Sequence, residues 1–115
     1  MRRGDIHAVD LDPALPSEAI KRRPAVIVSN DSANRASTRL RRGVVTVVPL
    51  TSNVERVYPF QVVLPAARTG LERDSKAQAE QVRSISVARV GARLGAVPAD
   101  VMAQVDEALR LHLAL

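Results

Sequence analysis

The stretch Pro24-Ala25-Val26-Ile27-Val28-Ser29 decides the fold class of this sequence. Its length and its β-branched side chains predict a buried strand. A second run of the same kind, Val44–Leu50, follows after a polar and basic segment. These two apolar runs indicate that the core is formed mainly by β-structure.

Shorter segments on both sides of these runs extend the predicted sheet. Asp5–Leu11 and Phe60–Leu64 are predicted strands. Ser75–Ser86 alternates loosely and is also interpreted as a strand, although its Ala and Gln content would suit a helix. The intervening segments are predicted as a long loop at Asp12–Arg23, a polar segment at Asn30–Arg42 with a short helical turn around Ala33–Leu40, a loop at Val54–Pro59 and a turn at Thr69-Gly70.

The apolar pattern becomes helical after Pro98. Met102, Val105 and Leu109 recur at i, i+3 and i+7, which is the spacing of one helix face. Short strands followed by one terminal helix predict a mainly β (α+β) fold. We expect a compact, twisted antiparallel sheet or small barrel with helices at one end.

Composition narrows the possible functions. The chain has 115 residues, no cysteine and two histidines, so we expect one domain spanning residues 1–115, with no disulfide, metal or other cofactor. No apolar run approaches the about 20 residues of a membrane-spanning helix, and no signal-peptide core follows the charged N-terminus. We therefore expect a cytoplasmic protein. The net charge of +5 would attract polyanions, although an Arg-rich composition alone could also produce it.

Three groups of polar residues stand at or near the predicted strand ends, where binding sites usually form. One lies in the first long loop, one follows the Val44–Leu50 strand, and one lies within Ser75–Ser86. Their members are Ser17, Glu18, Arg22 and Arg23; Thr51, Ser52 and Asn53; and Glu80, Gln81 and Arg83. Each group also has an ordinary structural interpretation. Arg23 could simply be a charged residue at the start of a strand, and Thr51-Ser52-Asn53 could be an ordinary turn. Glu80 and Arg83 could form a surface ion pair.

Ordered motifs along the whole chain resemble the MazF/PemK family of toxins. The family's motifs match at the start of the chain, at the end of the second buried strand and at a later Glu-Gln segment. The matching stretches are Gly4-Asp5-Ile6, Asp10-Leu11-Asp12-Pro13, Ser17-Glu18, Arg23-Pro24-Ala25-Val26-Ile27-Val28-Ser29-Asn30, Pro49-Leu50-Thr51-Ser52-Asn53, Glu80-Gln81-Val82-Arg83-Ser84-Ile85 and Leu94-Gly95.

This resemblance implies a homodimer with a small SH3-like barrel that cuts single-stranded RNA without a metal. It also implies a cognate MazE-like antitoxin, whose flexible tail blocks an RNA groove across the dimer interface. Arg23 and Thr51 match the family's catalytic arginine and threonine. We expect the RNA-binding residues to be Ser17, Glu18, Ser52, Asn53, Glu80, Gln81 and Arg83.

The matched residue types suit cleavage of RNA by its own 2′-hydroxyl. An arginine binds a phosphate through two parallel hydrogen bonds and stays charged, and a threonine can donate to the same oxygens. The group that removes the 2′-proton is open: Glu18 is one possible base, and a mechanism using His7 and His112 is a weaker alternative. A gyrase poison of the CcdB type and a non-catalytic RNA-binding module are the alternative functions.

Aromatic side chains, on which proteins usually stack unpaired bases, are scarce in this chain. Tyr58 and Phe60 are the only two. His7 stands where the family usually has an aromatic residue. Arginine planes or His7 would therefore have to supplement them as stacking surfaces. We expect the Asp12–Arg22 and Asn53–Pro59 loops to select the RNA bases.

Overall fold

The computed structural model describes residues 1–11 and 22–115. This part of the chain contains seven strands, three α-helices and two short 3₁₀ turns. The strands are β1 (Asp5–Asp10), β2 (Arg22–Ile27), β3 (Val44–Thr51), β4 (Gln61–Leu64), β5 (Ser75–Gln78), β6 (Arg83–Ser86) and β7 (Val90–Ala96). The α-helices are α1 (Asp31–Leu40), α2 (Ala66–Thr69) and α3 (Ala99–Leu113).

β3 is the strand around which the antiparallel sheet is organised. It pairs with β2 along one edge and with β5 and β6, one after the other, along the other edge. The strand order is β4-β5-β3-β2-β1-β7, with β6 beside the first half of β3. In the described residues no pairing joins β4 to β7, so the sheet is open where the SH3-like barrel would close. The mainly β, antiparallel fold with a terminal helix is confirmed.

The two faces of the sheet carry different apolar clusters. One face packs against α3 through residues such as Val26, Val48 and Leu50, and we call it the helix face. The opposite face, which we call the far face, carries Val9, Leu11, Ala25, Ile27, Val45, Val47 and Ile85. Successive residues of a strand alternate between the two faces.

Two strand predictions need correction. β2 begins at Arg22 rather than Pro24, because Arg22 and Arg23 pair with Asp10 and Val9 of β1. The predicted strand Ser75–Ser86 is two strands, β5 and β6, separated by a 3₁₀ turn at Ala79–Gln81. The break separates β5, which pairs with both β3 and β4, from β6, which pairs with β3 alone.

Three further elements go beyond the sequence prediction. The sequence does not predict β7, and α2 is a short helix ahead of the predicted Thr69-Gly70 turn. α1 is a full ten-residue helix rather than a short turn. Asn30 caps α1 by accepting a hydrogen bond from the Ala33 amide at 2.8 Å. Of the predicted loop Asp12–Arg23, residues 12–21 lie outside the described part of the chain.

Helix α3 confirms the helical period read from the sequence. Val101, Met102, Val105 and Ala108 are buried against the helix face, and Leu109 is half-buried. Arg68 makes a two-point hydrogen-bonded ion pair with Asp100 in the first turn, and this bond lowers the pKa of Asp100. Across residues 1–11 and 22–115, no helix combines the length and hydrophobicity that spanning a membrane requires.

Gly95 of β7 lies against the backbone of α2, and this contact provides a test of the fold. A Cβ at Gly95 would lie 2.0 Å from the Thr69 carbonyl oxygen and 3.1 Å from its carbon. Since backbone atoms cannot move aside, we expect Gly95→Ala to lower the free energy of unfolding by about 1–3 kcal/mol. Ala92→Ser, exposed on the same strand, should change it by less than about 0.5 kcal/mol. Denaturant unfolding measures both, and a Gly95→Ala protein of parental stability would contradict this packing.

Candidate active site

Arg23 lies at the mouth of a polar pocket on the far face. The pocket has a volume of about 350 Å³ and is lined by Leu11, Arg23, Pro49, Leu50, Gln78, Gln81 and Arg83. On β2, the far-face positions run from Ile27 through Ala25 to Arg23, so the apolar cluster ends where this pocket begins. The Arg23 side chain is exposed.

The strand register relates Arg23 to Thr51. β2 and β3 pair with Ile27 opposite Val47 and Ala25 opposite Pro49. Continuing this register by two residues sets Arg23 opposite Thr51, the last residue of β3. Directly opposite residues share a face of the sheet, so both side chains belong to the far face.

The Thr51 hydroxyl accepts a hydrogen bond from the Asn53 amide at 3.3 Å. A hydroxyl both accepts and donates. Within residues 1–11 and 22–115 no acceptor binds its hydrogen, which is suited to a phosphate oxygen. Thr51 is half-buried, because β5 pairs with it on the other edge of β3 through Lys76.

The chain segment after β5 brings Gln81 and Arg83 to the same pocket. Gln81 ends the 3₁₀ turn, and Arg83 begins β6 opposite Val47. Both side chains are exposed and line the pocket with Arg23. The described lining contains two guanidinium groups and no carboxylate. Such a pocket can bind a phosphate through charge-assisted hydrogen bonds.

The other predicted site residues lie elsewhere or outside the described chain. Ser52 lines a different cavity of about 410 Å³, together with Pro24 of the helix face. Asn53 is exposed, and its side chain accepts from the Glu55 amide at 3.2 Å. Glu80 accepts a hydrogen bond from the Gln61 side chain at 2.6 Å and does not pair with Arg83. Ser17 and Glu18 fall in the undescribed segment.

The two histidines are on opposite faces of the sheet. His7 is buried on the far face, where its Nδ1 lies 2.9 Å from the Gly91 carbonyl oxygen. His112 is exposed near the end of α3, which packs on the helix face. The two rings therefore cannot act on one phosphate. Burial also prevents His7 from presenting its ring as a stacking surface.

The sequence interpretation did not identify Gln78 as a residue of this pocket. Gln78 pairs with Gln61 of β4 and lies on the far face beside Pro49. The signal was available in Lys76-Ala77-Gln78-Ala79, where polar and small apolar residues alternate with the period of a strand. The break at Ala79–Gln81, which the pattern does not show, sets the register that brings Gln78 into the pocket with Arg23.

Comparison with known proteins identifies the family. Residues 2–113 match the model of the PemK-like, MazF-like toxins of type II toxin–antitoxin systems. The chain belongs to this family. It is 63% identical to endoribonuclease MazF9 of Mycobacterium tuberculosis, over all of this chain and 98% of that protein. It is 34% identical to endoribonuclease EndoA of Bacillus subtilis, over all of this chain and 96% of that protein.

Solved structures of MazF proteins share the fold. The MazF of a MazE–MazF crystal structure from Deinococcus radiodurans superposes with a TM-score of 0.80 at 29% identity, covering 100% of this chain and 96% of that chain. A mycobacterial endoribonuclease superposes with a TM-score of 0.77 at 24% identity, covering 100% of this chain and 92% of that chain. The family and its endoribonuclease members make this chain an endoribonuclease toxin, and the gyrase-poison alternative is not favoured.

Proposed function

We propose that this MazF-family toxin cuts single-stranded RNA at a phosphate bound between Arg23 and Thr51, without a metal ion. The β2–β3 register carries the proposal: its last pair is Ala25 with Pro49, and two residues farther along it Arg23 comes level with Thr51. The guanidinium would bind two oxygens of the phosphate, and the Thr51 hydroxyl would donate to one of them. These donors are strongest when the negative charge on the oxygens grows in the transition state.

The reaction that fits this arrangement is an attack by the 2′-hydroxyl on the neighbouring phosphorus. A bond forms between the 2′-oxygen and phosphorus, and the bond to the 5′-oxygen breaks. The proton leaves the 2′-hydroxyl for a base, and another proton reaches the departing 5′-oxygen. The products are a 2′,3′-cyclic phosphate and a free 5′-hydroxyl. Glu18 is the candidate base on chemical grounds.

The remaining predicted RNA-binding residues fall into two groups, those that share the pocket with Arg23 and those outside it. Gln81 and Arg83 share the pocket with Arg23 and are proposed to bind the adjoining nucleotides. Ser52, Asn53 and Glu80 are proposed to contact RNA farther along the strand, with Ser17 and Glu18 contributing from the segment between β1 and β2. Cleavage would be sequence-specific because these side chains present hydrogen-bonding groups to unpaired bases.

The proposed cellular context follows from the family. The Deinococcus radiodurans MazF was crystallised with MazE, and we propose that a MazE-like antitoxin blocks the RNA groove of this chain too. The chain would act as a homodimer in the cytoplasm, with residues 1–115 forming one toxin domain. The family model supports the single domain because it spans residues 2–113.

End-mapping of RNA cut by the pure protein in excess EDTA tests this function. We expect cuts at a short recurring sequence in unstructured RNA, with 2′,3′-cyclic phosphate and 5′-hydroxyl ends. Intact RNA after long incubation, or cleavage only after a divalent metal is restored, would overturn the proposal. RNA bound but never cut would instead favour the non-catalytic binding module.

Arg83 offers a separate test of the pocket as a phosphate site. We expect Arg83→Ala to weaken binding of all single-stranded RNA sequences alike and to reduce the slope of log affinity against log salt by about 0.7. Arg39→Ala is the matched control, because Arg39 is exposed in the last turn of α1, away from the pocket. Fluorescence anisotropy at several salt concentrations measures both slopes. Equal slopes in the two variants would remove Arg83 from the phosphate contacts.

A further inference from the structure

The only two aromatic side chains of the protein form one stacked unit. The rings of Tyr58 and Phe60 are parallel within 1°, with centroids 5.4 Å apart. They belong to residues 52–60, the segment that connects Thr51 to β4. Tyr58 is 41% exposed, so much of its side chain is available to a ligand.

Gln61, a buried polar residue, fixes the backbone beneath Tyr58. Its side-chain oxygen accepts a hydrogen bond from the Tyr58 backbone amide at 3.1 Å. Its backbone amide donates a hydrogen bond to the Tyr58 carbonyl oxygen at 2.9 Å. Its side-chain nitrogen donates to Glu80 at 2.6 Å. Gln61 therefore ties the aromatic segment to the 3₁₀ turn that presents Gln81 to the pocket.

Lys76, a second buried polar residue, fixes the other end of the aromatic segment. Its ammonium donates to the Arg56 carbonyl oxygen at 2.5 Å and lies 5.9 Å from the centroid of the Tyr58 ring. The Arg56 guanidinium lies 5.3 Å from the same centroid and donates to the Tyr58 hydroxyl at 3.2 Å. Both cations thus lie over the Tyr58 ring, and both would favour a polyanion beside it.

Lys76 links the stacked unit to the proposed catalytic pair, because its ammonium lies near the Tyr58 ring and its backbone pairs directly with Thr51. The β2–β3 register, continued two residues past its last pair, brings Arg23 level with Thr51 on the other side. Neighbouring strands are about 4.8 Å apart, which places the backbone of Lys76 about 10 Å from that of Arg23. A single strand of RNA bound at Arg23 and Thr51 can therefore reach the ring that Lys76 contacts.

We propose that Tyr58, backed by Phe60, is a stacking platform for one unpaired base of the RNA strand next to the scissile phosphate. The platform is preorganised, because Gln61 and Lys76 already hold the segment before RNA binds. It replaces the stacking surface that a buried His7 cannot supply. This inference rests on the proposed function, since it assumes that the strand passes through the Arg23 pocket.

Two variants of Tyr58 distinguish the contribution of the aromatic ring from that of the hydroxyl. Stacking of one base on an aromatic ring corresponds to about a 5- to 150-fold change in affinity. We expect Tyr58→Ala to raise KM for RNA cleavage within this range with little change in kcat, and Tyr58→Phe to keep KM near the parental value. Val44→Ala, which truncates an exposed valine at the start of β3, outside the aromatic segment and the pocket, is the control and should leave both constants unchanged.

A spectroscopic measurement reports stacking independently of cleavage. An unstructured RNA with fluorine in place of every 2′-hydroxyl cannot be cut, and 2-aminopurine at one position at a time reports stacking by loss of fluorescence. We expect quenching at one position with the parental protein and Tyr58→Phe, and its loss with Tyr58→Ala. Quenching without any cleavage of natural RNA would support the platform while the proposed reaction fails.

The platform is wrong if Tyr58→Ala binds and quenches this RNA as the parental protein does. It is also wrong if Tyr58→Ala weakens only the complex with the antitoxin, since the ring would then be a protein contact. Circular dichroism of each variant confirms that the fold is intact before binding is compared. If cleavage is normal in such a variant, the proposed reaction stands without the platform.

Discussion

Replacing Arg23 with alanine is expected to lower the single-turnover rate of RNA cleavage by about 10²- to 10³-fold. The guanidinium is the charged donor at the mouth of a pocket whose described lining contains no carboxylate. Its loss would leave the charge that develops on the phosphate oxygens without its main partner. Because the side chain is exposed, the melting temperature should not change.

Two matched variants show whether charge or geometry matters at this position. Arg23→Lys keeps the charge but cannot form two parallel hydrogen bonds, so we expect a rate between those of the parental protein and Arg23→Ala. Arg22→Ala removes the same charge one residue away, on the opposite face of β2, where Arg22 lies 3.7 Å from Asp10. This control should cut within a few-fold of the parental rate. Equal losses in Arg22→Ala and Arg23→Ala would indicate a general effect of charge.

Thr51→Ala is expected to reduce the cleavage rate by about 10²-fold, since one preorganised donor to the phosphate oxygens would be lost. The Thr51 hydroxyl accepts from the Asn53 amide, and among the described residues nothing else binds it, so its hydrogen can be donated to the phosphate. We expect kcat to fall with little change in KM, because the donor acts mainly on the transition state. Steady-state kinetics on an RNA with one cut site measures both constants.

The controls for Thr51 test the hydroxyl and its place in the sheet. Thr51→Ser retains the hydroxyl and should recover most of the rate. Thr46→Ala removes a hydroxyl from the same strand on the helix face, where it lies 3.4 Å from the Ser84 hydroxyl. We expect Thr46→Ala to cut at the parental rate. If Thr51→Ala cuts as fast as Thr46→Ala, Thr51 has no catalytic role.

The strands that the sequence predicted well are those whose apolar side chains alone specify burial. β2 and β3 carry consecutive β-branched residues on both faces, and each face packs in its own cluster. The period of α3 was equally clear, because one side of the helix is buried and the other exposed. In these elements local pattern and tertiary packing agree.

The missed elements are those in which polar residues or glycines replace the apolar signal. The buried residues of α1 are Asn34 and Ser37. Asn34 is held by hydrogen bonds with Ser29 rather than by apolar contacts. β7 carries Gly91 and Gly95, which suit close approach of other parts of the chain and depress strand propensity. β7 shows no hydrophobic period, and the buried positions of α1 carry polar side chains in place of the apolar ones that would indicate a helix.

The site could be predicted in part because its residues stand in recognisable motifs. Arg23, Gln81 and Arg83 line one pocket, whereas Thr51 is not among its lining residues, and their roles remain predictions. The support from Gln61 and Lys76 could not be predicted, because it depends on the registers of β3, β4 and β5. A polar side chain in a strand carries no local sign of the loop that will cover it.

A crystal structure of the protein with an uncleavable RNA tests the central claim most directly. The RNA would carry deoxyribose at the nucleotide whose 2′-hydroxyl attacks. We predict that the Arg23 guanidinium and the Thr51 hydroxyl both lie within about 3.2 Å of oxygens of the same scissile phosphate. A scissile phosphate bound in the cavity beside Ser52, or one that contacts neither side chain, would contradict the account.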